Sequence, residues 1–506
     1  MDLKVFRDTI SAAGRFCRVK AEIPIETEIL ISDYLPQVGK ILTCIPKMVV
    51  LQQKLQPGRL VLEGYLRCVV YYQGEEAAGL CQTEQKLPFT KALDVPLEAF
   101  DGWSAAVTGE AEYLNCRAVH PRRVEIRGAW EISAAVYPQL RQEVVCAVSG
   151  PGVAQKQTQI SGLRNLGGLD KLVTADAEFA FEQPPAAVLD ITGTAQLHEQ
   201  KLMQGKLVAK GEIHAQLTCR AADSDGLFCQ RVTVPFLQVL EQDELGEDCQ
   251  CFCVAESTGF TLQALSGAGD KQQLTASAML HLRAFRPYAV DVAEQCFATG
   301  VQMETEAAPL AAEVLAGTVD EHQTLSAAVP LPGEKVQVLS CLASPAAPEL
   351  LTEQGGAALR VRCRLLILCK NELDELECRD AAAELTLPLE NLPDPSRLHA
   401  ELWLTVDNMN VTMQPDRAEV TAALHLEGFL LRCVDRRVLL EVQAGAAWEN
   451  PDPDIVLRAC FVQEGEAVFD VARRFHVLPG RILAANDLTE DTVPAGACLL
   501  IPCTEG

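Results

Sequence analysis

One stretch of this chain occurs twice, in register with its surroundings. Gln53-Lys54-Leu55-Gln56-Pro57-Gly58-Arg59-Leu60-Val61-Leu62-Glu63-Gly64 returns as Gln200-Lys201-Leu202-Met203-Gln204-Gly205-Lys206-Leu207-Val208-Ala209-Lys210-Gly211. The same offset carries Ile41-Leu42 onto Val188-Leu189 and Leu87-Pro88-Phe89 onto Val234-Pro235-Phe236. A degraded third copy follows in Val338-Leu339-Ser340-Cys341, Leu359-Arg360-Val361-Arg362-Cys363 and Leu387-Pro388-Leu389, with Cys363 where the second glycine would stand. A period of about 150 residues is too long for a solenoid unit and matches a whole domain. The expectation is one module used three times, strung like beads.

The module reads as mostly β. Residues 19–30 alternate apolar and polar, the mark of half-buried strands. Leu60 to Tyr72 reads as a longer strand, and Leu80 to Phe89 as one that stops near Pro88, where an N–H is missing. Ala105–Cys116 and Val124–Val136 are expected to form a closing antiparallel pair. Gly259–Leu265 with Gln272–Phe285, around Ser266-Gly267-Ala268-Gly269-Asp270, and Leu402–Met413 with Arg417–Leu431 repeat that pair. Strand spacing of this kind predicts a sandwich or open barrel. The chain is thus expected to be mainly β. Three tandem β-sandwich-like modules span 1–150, 151–288 and, degenerate, 289–446; a Pro/Asp linker, 447–456, leads to a small domain, 457–506.

With 48% hydrophobic residues the chain can bury packed cores, and its net charge of −26 disfavours nucleic acid and anionic membrane surfaces. No apolar run is long enough to span a bilayer. The N-terminal Met1-Asp2-Leu3-Lys4-Val5-Phe6-Arg7-Asp8-Thr9 has no uninterrupted apolar core, so no export signal is expected. Most of the 20 cysteines, Cys68, Cys219, Cys363 and Cys369 among them, fall in apolar strand patterns and read as buried thiols. Cys249-Gln250-Cys251-Phe252-Cys253 would put three thiols on one strand face, but nothing at ligand spacing completes a metal site. The eight histidines are scattered, without HExxH, Walker or GxSxG motifs. No enzymatic activity, catalytic residue, metal or cofactor is expected.

The tail changes period. Cys460-Phe461-Val462 reads as a strand and Gln463-Glu464-Gly465-Glu466 as a turn. Val468, Val471, Ala472 and Phe475 fall on one helical face. Pro479 opens a second helix, carrying Ile482 and Leu483 to the Asn486-Asp487-Leu488 corner. Pro494-Ala495-Gly496 turns into a closing strand, Cys498-Leu499-Leu500-Ile501. This β-α-α-β segment resembles a LysM domain. The resemblance implies a shallow groove for N-acetylglucosamine polymers, as in peptidoglycan, at Gly465, Glu466, Ala467, Val468 and Asn486, Asp487, Leu488, Thr489. Ala467 stands where the family has a threonine that caps the helix and meets the sugar, which shifts the expectation toward a protein-binding groove. Arg473 and Arg474 form a basic pair that reads either as a solvated face or as a contact for an acidic partner, and His476 is placed to stabilise the helix end.

Asp33-Tyr34-Leu35-Pro36-Gln37-Val38, the Pro57-to-Gly64 strand and Leu87-Pro88-Phe89 resemble the SPOCS repeat. SPOCS repeats followed by one LysM domain resemble the SipL-type spore-coat morphogenetic family. That resemblance implies a cytoplasmic adaptor of the mother cell at the forespore surface. Its LysM would dock on the coat-basement morphogenetic ATPase, and its β modules would serve as lateral or self-association surface. The alternative is a peptidoglycan-binding wall protein using the same groove.

Overall fold

The structure is a computed structural model. It describes residues 3–503 except 34, 76–78, 223–226, 266–270, 332–335, 354–355, 374, 391–396 and 450–453. Tyr34, the 266–270 turn and the Asn450-to-Pro453 part of the expected linker lie outside the described residues. The chain is mainly β, built of many antiparallel sheets with two short helices among the described residues.

The strands fall into three consecutive groups. The first comprises β1 (Lys4–Ala13), β2 (Cys17–Leu30), β3 (Val38–Gln56), β4 (Arg59–Gly74), β5 (Leu80–Asp94), β6 (Gly102–His120) and β7 (Arg123–Ser149). The second comprises β8 (Val153–Ala180), β9 (Pro185–Met203), β10 (Lys206–Ala221), β11 (Leu227–Glu241), β12 (Gln250–Ala264) and β13 (Lys271–Ala298). The third comprises β14 (Val301–Pro330), β15 (Gln337–Pro345), β16 (Glu349–Glu353), β17 (Gly356–Lys370), β18 (Leu376–Leu389), β19 (Leu398–Met413) and β20 (Arg417–Ala447). Then come β21 (Leu457–Phe461), α1 (Val468–Phe475), α2 (Pro479–Ala485) and β22 (Cys498–Pro502). Residues 288 and 289, where the sequence suggests a change of domain, lie inside β13, still paired with β8.

In each group a meander sheet faces a sheet centred on a long closing strand. The meander centre is β4, β10 or β17; the closing strand is β7, β13 or β20. Period-2 burial builds the cores: Leu60, Leu62, Leu66, Cys68 and Val70 on β4, Leu207, Ile213, Leu217 and Cys219 on β10, and Leu359, Val361, Cys363, Leu365 and Cys369 on β17 all point inward. The cysteines in these patterns are buried thiols, as expected.

The two recurring stretches form the same hairpin. Gly58 and Gly205 sit at its tip with φ of +77° and +75°, where glycine carries no Cβ penalty. Val95 and Leu97 clasp Gly58 through backbone bonds, as Gln242 and Leu245 clasp Gly205. Gly64 and Gly211 lie where a Cβ would collide with the carbonyl oxygens of Val49 and Gln196, beside bulges in the neighbouring ladders. Pro88 does not end its strand: β5 runs through it to Asp94. It is an edge strand, so the missing N–H faces away from the ladder.

The groups are not beads. Each closing strand outruns its own core and pairs with the opening strand of its group as a ribbon: Lys4–Ala13 with Gln139–Ser149, and the start of β8 with the end of β13. The start of β14 pairs likewise with the end of β20. The three ribbons pack together. Ile10, Val144, Ile160, Val292, Leu310 and Val438 form one shared cluster; Val145, Val148, Ala293, Leu439 and Val442 form another. Each ribbon carries a bulge at the matching place, skipping Cys146, Glu294 and Leu440. A bulge twists the strand, and at each one two consecutive residues, Val144-Val145, Val292-Ala293 and Val438-Leu439, are shared between the two clusters. Farther out, Leu163, Phe285, Phe429 and Leu431 join the second and third groups, while Val69, Tyr71 and Leu80 meet Leu342, Leu366 and Leu368 between the first and third.

Candidate functional site

The C-terminal β-α-α-β unit has its own core of Val462, Val468, Val471, Ala472, Ile482, Leu499 and Ile501, and borrows Phe297 from β13. Phe297 meets Phe469 edge-on. His476 bonds the Ala298 carbonyl through Nδ1 at 3.0 Å and stacks on Trp448, so it fastens the unit to the end of β13. Arg473 donates to Gln295 at 2.6 Å, and Arg474 pairs with Glu466. Both members of the basic pair are engaged within the chain.

The first expected groove wall is tied to Asp491, just past the second. The Val468 N–H donates to the Asp491 carbonyl at 2.9 Å and the Phe469 N–H to Asp491 Oδ1 at 3.0 Å. Asp491 thus caps α1 from the far side of the corner, in place of the hydroxyl that Ala467 lacks. Asp470 Oδ2 accepts the Ala467 N–H. Of the groove residues, Val468 is 0% exposed and belongs to the core, because it opens the apolar face of α1. Asn486 is spent internally, bonding the Ile482 carbonyl and both backbone groups of Leu500. Leu488 is half-buried against the core. Gly465, at φ +76°, Asp487 and Thr489 face solvent, with Glu466 and Ala467 partly covered. The surface open to a partner is polar and narrower than the sequence suggests.

A second feature has no counterpart in the sequence motifs. The three groups enclose an open cavity of about 1830 Å³ lined by all of them. Ionisable groups at and beside it are linked both within the second group and across group boundaries. Arg283 Nε reaches Glu401 at 2.6 Å and Nη1 reaches Asp170 at 2.9 Å. His281 Nδ1 lies 2.9 Å from Asp170 and Nε2 3.6 Å from Glu256, which pairs with Lys47 at 2.7 Å. Gln53 of the first group also reaches Asp170. Burial works against the charge on His281, but Asp170 and Glu256 outweigh it and raise the imidazole to about 9. Burial likewise opposes ionisation of Asp170, and Arg283 and His281 overcome it, holding the carboxyl below its usual range. A histidine held protonated below about pH 9 between two carboxylates serves as a clamp on them. At another junction Tyr71 donates to Asp190 at 3.1 Å; burial pushes Asp190 up to about 6.

Three clusters of described residues offer ligand atoms within 4.8 Å of one another: His198, Glu212 and His214; Glu313, His399 and Cys433; Asp320, His322 and His425. Their members are far apart in the chain or alternate with other residues, so no metal-ligand spacing shows in the sequence. Cys249, Cys251 and Cys253 do not form such a cluster; Cys253 enters the core of the second group, with Cys251 packed against it.

The fold and these junctions define a mainly β protein whose buried ionisable groups hold strand groups to one another, with a small helical unit clasped at one end. Residues 37–119, from just before β3 to near the end of β6, match the family described as SipL, SPOCS domain. The match suggests a sporulation-related protein. Neither the curated proteins nor the solved structures contain a match to the chain. No helix among the described residues is long and apolar enough to cross a membrane.

Proposed function

We propose that this chain is a non-enzymatic adaptor of spore-envelope assembly, acting in the mother-cell cytoplasm at the forespore surface. The three strand groups are SPOCS modules forming a rigid body. The C-terminal unit is a LysM-type head that docks on the morphogenetic ATPase of the coat basement. The observation that carries this reading is the SPOCS match over residues 37–119. Further support comes from the cavity, whose acids and bases are largely paired with one another, and from Ala467, which offers no hydroxyl to a sugar.

The docking surface in this reading is the exposed corner at Gly465, Asp487 and Thr489, flanked by Glu466, Ala467 and Leu488. The test is retention of the ATPase by the immobilised full chain. Asp487→Lys with Thr489→Lys, both at exposed positions, is expected to reduce retention at least tenfold without changing the fold. Full retention by that variant, or saturable sedimentation of the chain with purified peptidoglycan in place of ATPase capture, would overturn the reading.

A further inference from the structure

Glu313, His399 and Cys433 lie on three neighbouring strands of one sheet, β14, β19 and β20. Their register explains the convergence. Glu313 is directly opposite Cys433, and His399 is opposite Leu431, two residues before Cys433. All three side chains therefore leave the same face, toward the central cavity that they line.

The trio is built rather than incidental. Glu313 is 4% exposed and the His399 side chain 11%. His399 Nε2 is sealed from solvent, makes no hydrogen bond, and lies 3.5 Å from Glu313 Oε1. A buried ring nitrogen left without a partner is costly and calls for an explanation. The ring is held by Tyr137, stacked on it at 4.1 Å, and Glu313 Oε2 accepts the side-chain amide of Gln139. Both supporting residues come from β7, in the first strand group.

We propose that Glu313, His399 and Cys433 form a binding site for a divalent metal of the zinc class. One carboxylate oxygen, one imidazole nitrogen and one thiolate make the mixed donor set such an ion takes, and three protein ligands leave a position open toward the cavity. Gln139 and Tyr137 are then the outer supports that orient Glu313 and His399. The metal sits on the third group while the first group steadies its ligands, so metal binding and the seating of the two groups favour each other. Burial keeps the imidazole neutral, down to about 4, with its lone pair available. Burial also pushes the Glu313 carboxyl up to about 7 and the Cys433 thiol up to about 11, so the ion must displace protons to bind. The other two clusters hold no cysteine.

The test uses the full chain, reduced and stripped with a chelator, then titrated with Co²⁺. The expected result is one tetrahedral Co²⁺ per chain with a thiolate-to-cobalt charge-transfer band, bleached by added Zn²⁺. Cys433→Ser loses the band; His399→Gln weakens affinity at least tenfold; Cys341→Ser, in the same group, keeps both. Zn²⁺ raises the thermal midpoint of the wild type and of Cys341→Ser but not of Cys433→Ser. Should Cys433→Ser fail to fold, His399→Gln supplies the same comparison. Absence of a saturable Co²⁺ spectrum, or a charge-transfer band unchanged in both Cys433→Ser and His399→Gln, would overturn the proposal.

Discussion

Arg283 of β13 and Glu401 of β19 meet at 2.6 Å across the boundary between the second and third strand groups, with only 5% and 9% of their surfaces exposed. Removing Glu401 leaves the buried Arg283 with Asp170 as its remaining carboxylate, at a cost below the ~3–5 kcal/mol of a fully uncompensated charge. Glu401→Leu is therefore expected to lower the urea midpoint. Glu401→Gln, which still accepts the Arg283 N–H, should lower it less. Equal midpoints for the wild type and Glu401→Leu would mean that the pair does not hold the boundary.

His281 makes the same junction sensitive to alkali. Its folded value of about 9 lies above the ordinary histidine value, so the folded state prefers the cation. The stability it contributes is fully present below about pH 6.5 and is lost as the pH rises through about 9. Denaturation at pH 6.5, 7.5 and 9 should show a decline of at most about 1.4 kcal/mol per pH unit from this group. His281→Gln should flatten that decline.

Glu313 acts at lower pH. Burial lifts its carboxyl to about 7, so the folded state holds a proton that the unfolded chain releases near 4.5. Stability from this group therefore falls as the pH rises from about 4.5 to about 7 and then levels off. In chelator, Glu313→Gln should match the wild type near pH 4.5 and exceed it at pH 8. The gap accumulates at about 1.4 kcal/mol for each pH step between the two values, a few kcal/mol in all. Thermal midpoints at pH 4.5 and pH 8 provide the comparison.

The head has a cap borrowed from across its corner. Asp491→Ala should destabilise the C-terminal unit by about 1 kcal/mol, seen as faster amide exchange at Phe469. Ala467→Ser in that background, restoring a cap at the usual position, should slow the exchange again. Exchange at Phe469 that ignores both changes would remove Asp491 from this role.

The β character is legible because Leu60 to Tyr72 and its relatives alternate with a burial period of two, and Gly58 and Gly205 announce their hairpin tips. Pro88 misleads: a proline ends a central strand, but β5 is an edge. The closing strands run longer than their alternation suggests, because Tyr137-Pro138-Gln139 interrupts it just where β7 leaves its own core for the ribbon. Of the head, Val468 is visible as part of the helical face, and that same face is why it is unavailable to a partner. The cavity and its clusters are invisible in the sequence. Asp170 and His281 face each other across the β8–β13 ladder, and Glu401 reaches Arg283 beside them only through the packing of the third group on the second, which nothing local encodes.

The packed ribbons also bear on synthesis. Val438, Leu439 and Val442 are among the last residues of the β region to leave the ribosome, yet Ile10, Val144 and Val292 depend on that late segment to be covered. Until translation passes residue 447, the earlier two ribbons hold apolar flanks open to water. The molecule is therefore sealed from its end backward, and a ribosome that stalls before β20 would release a sticky intermediate rather than a shorter version of the same protein.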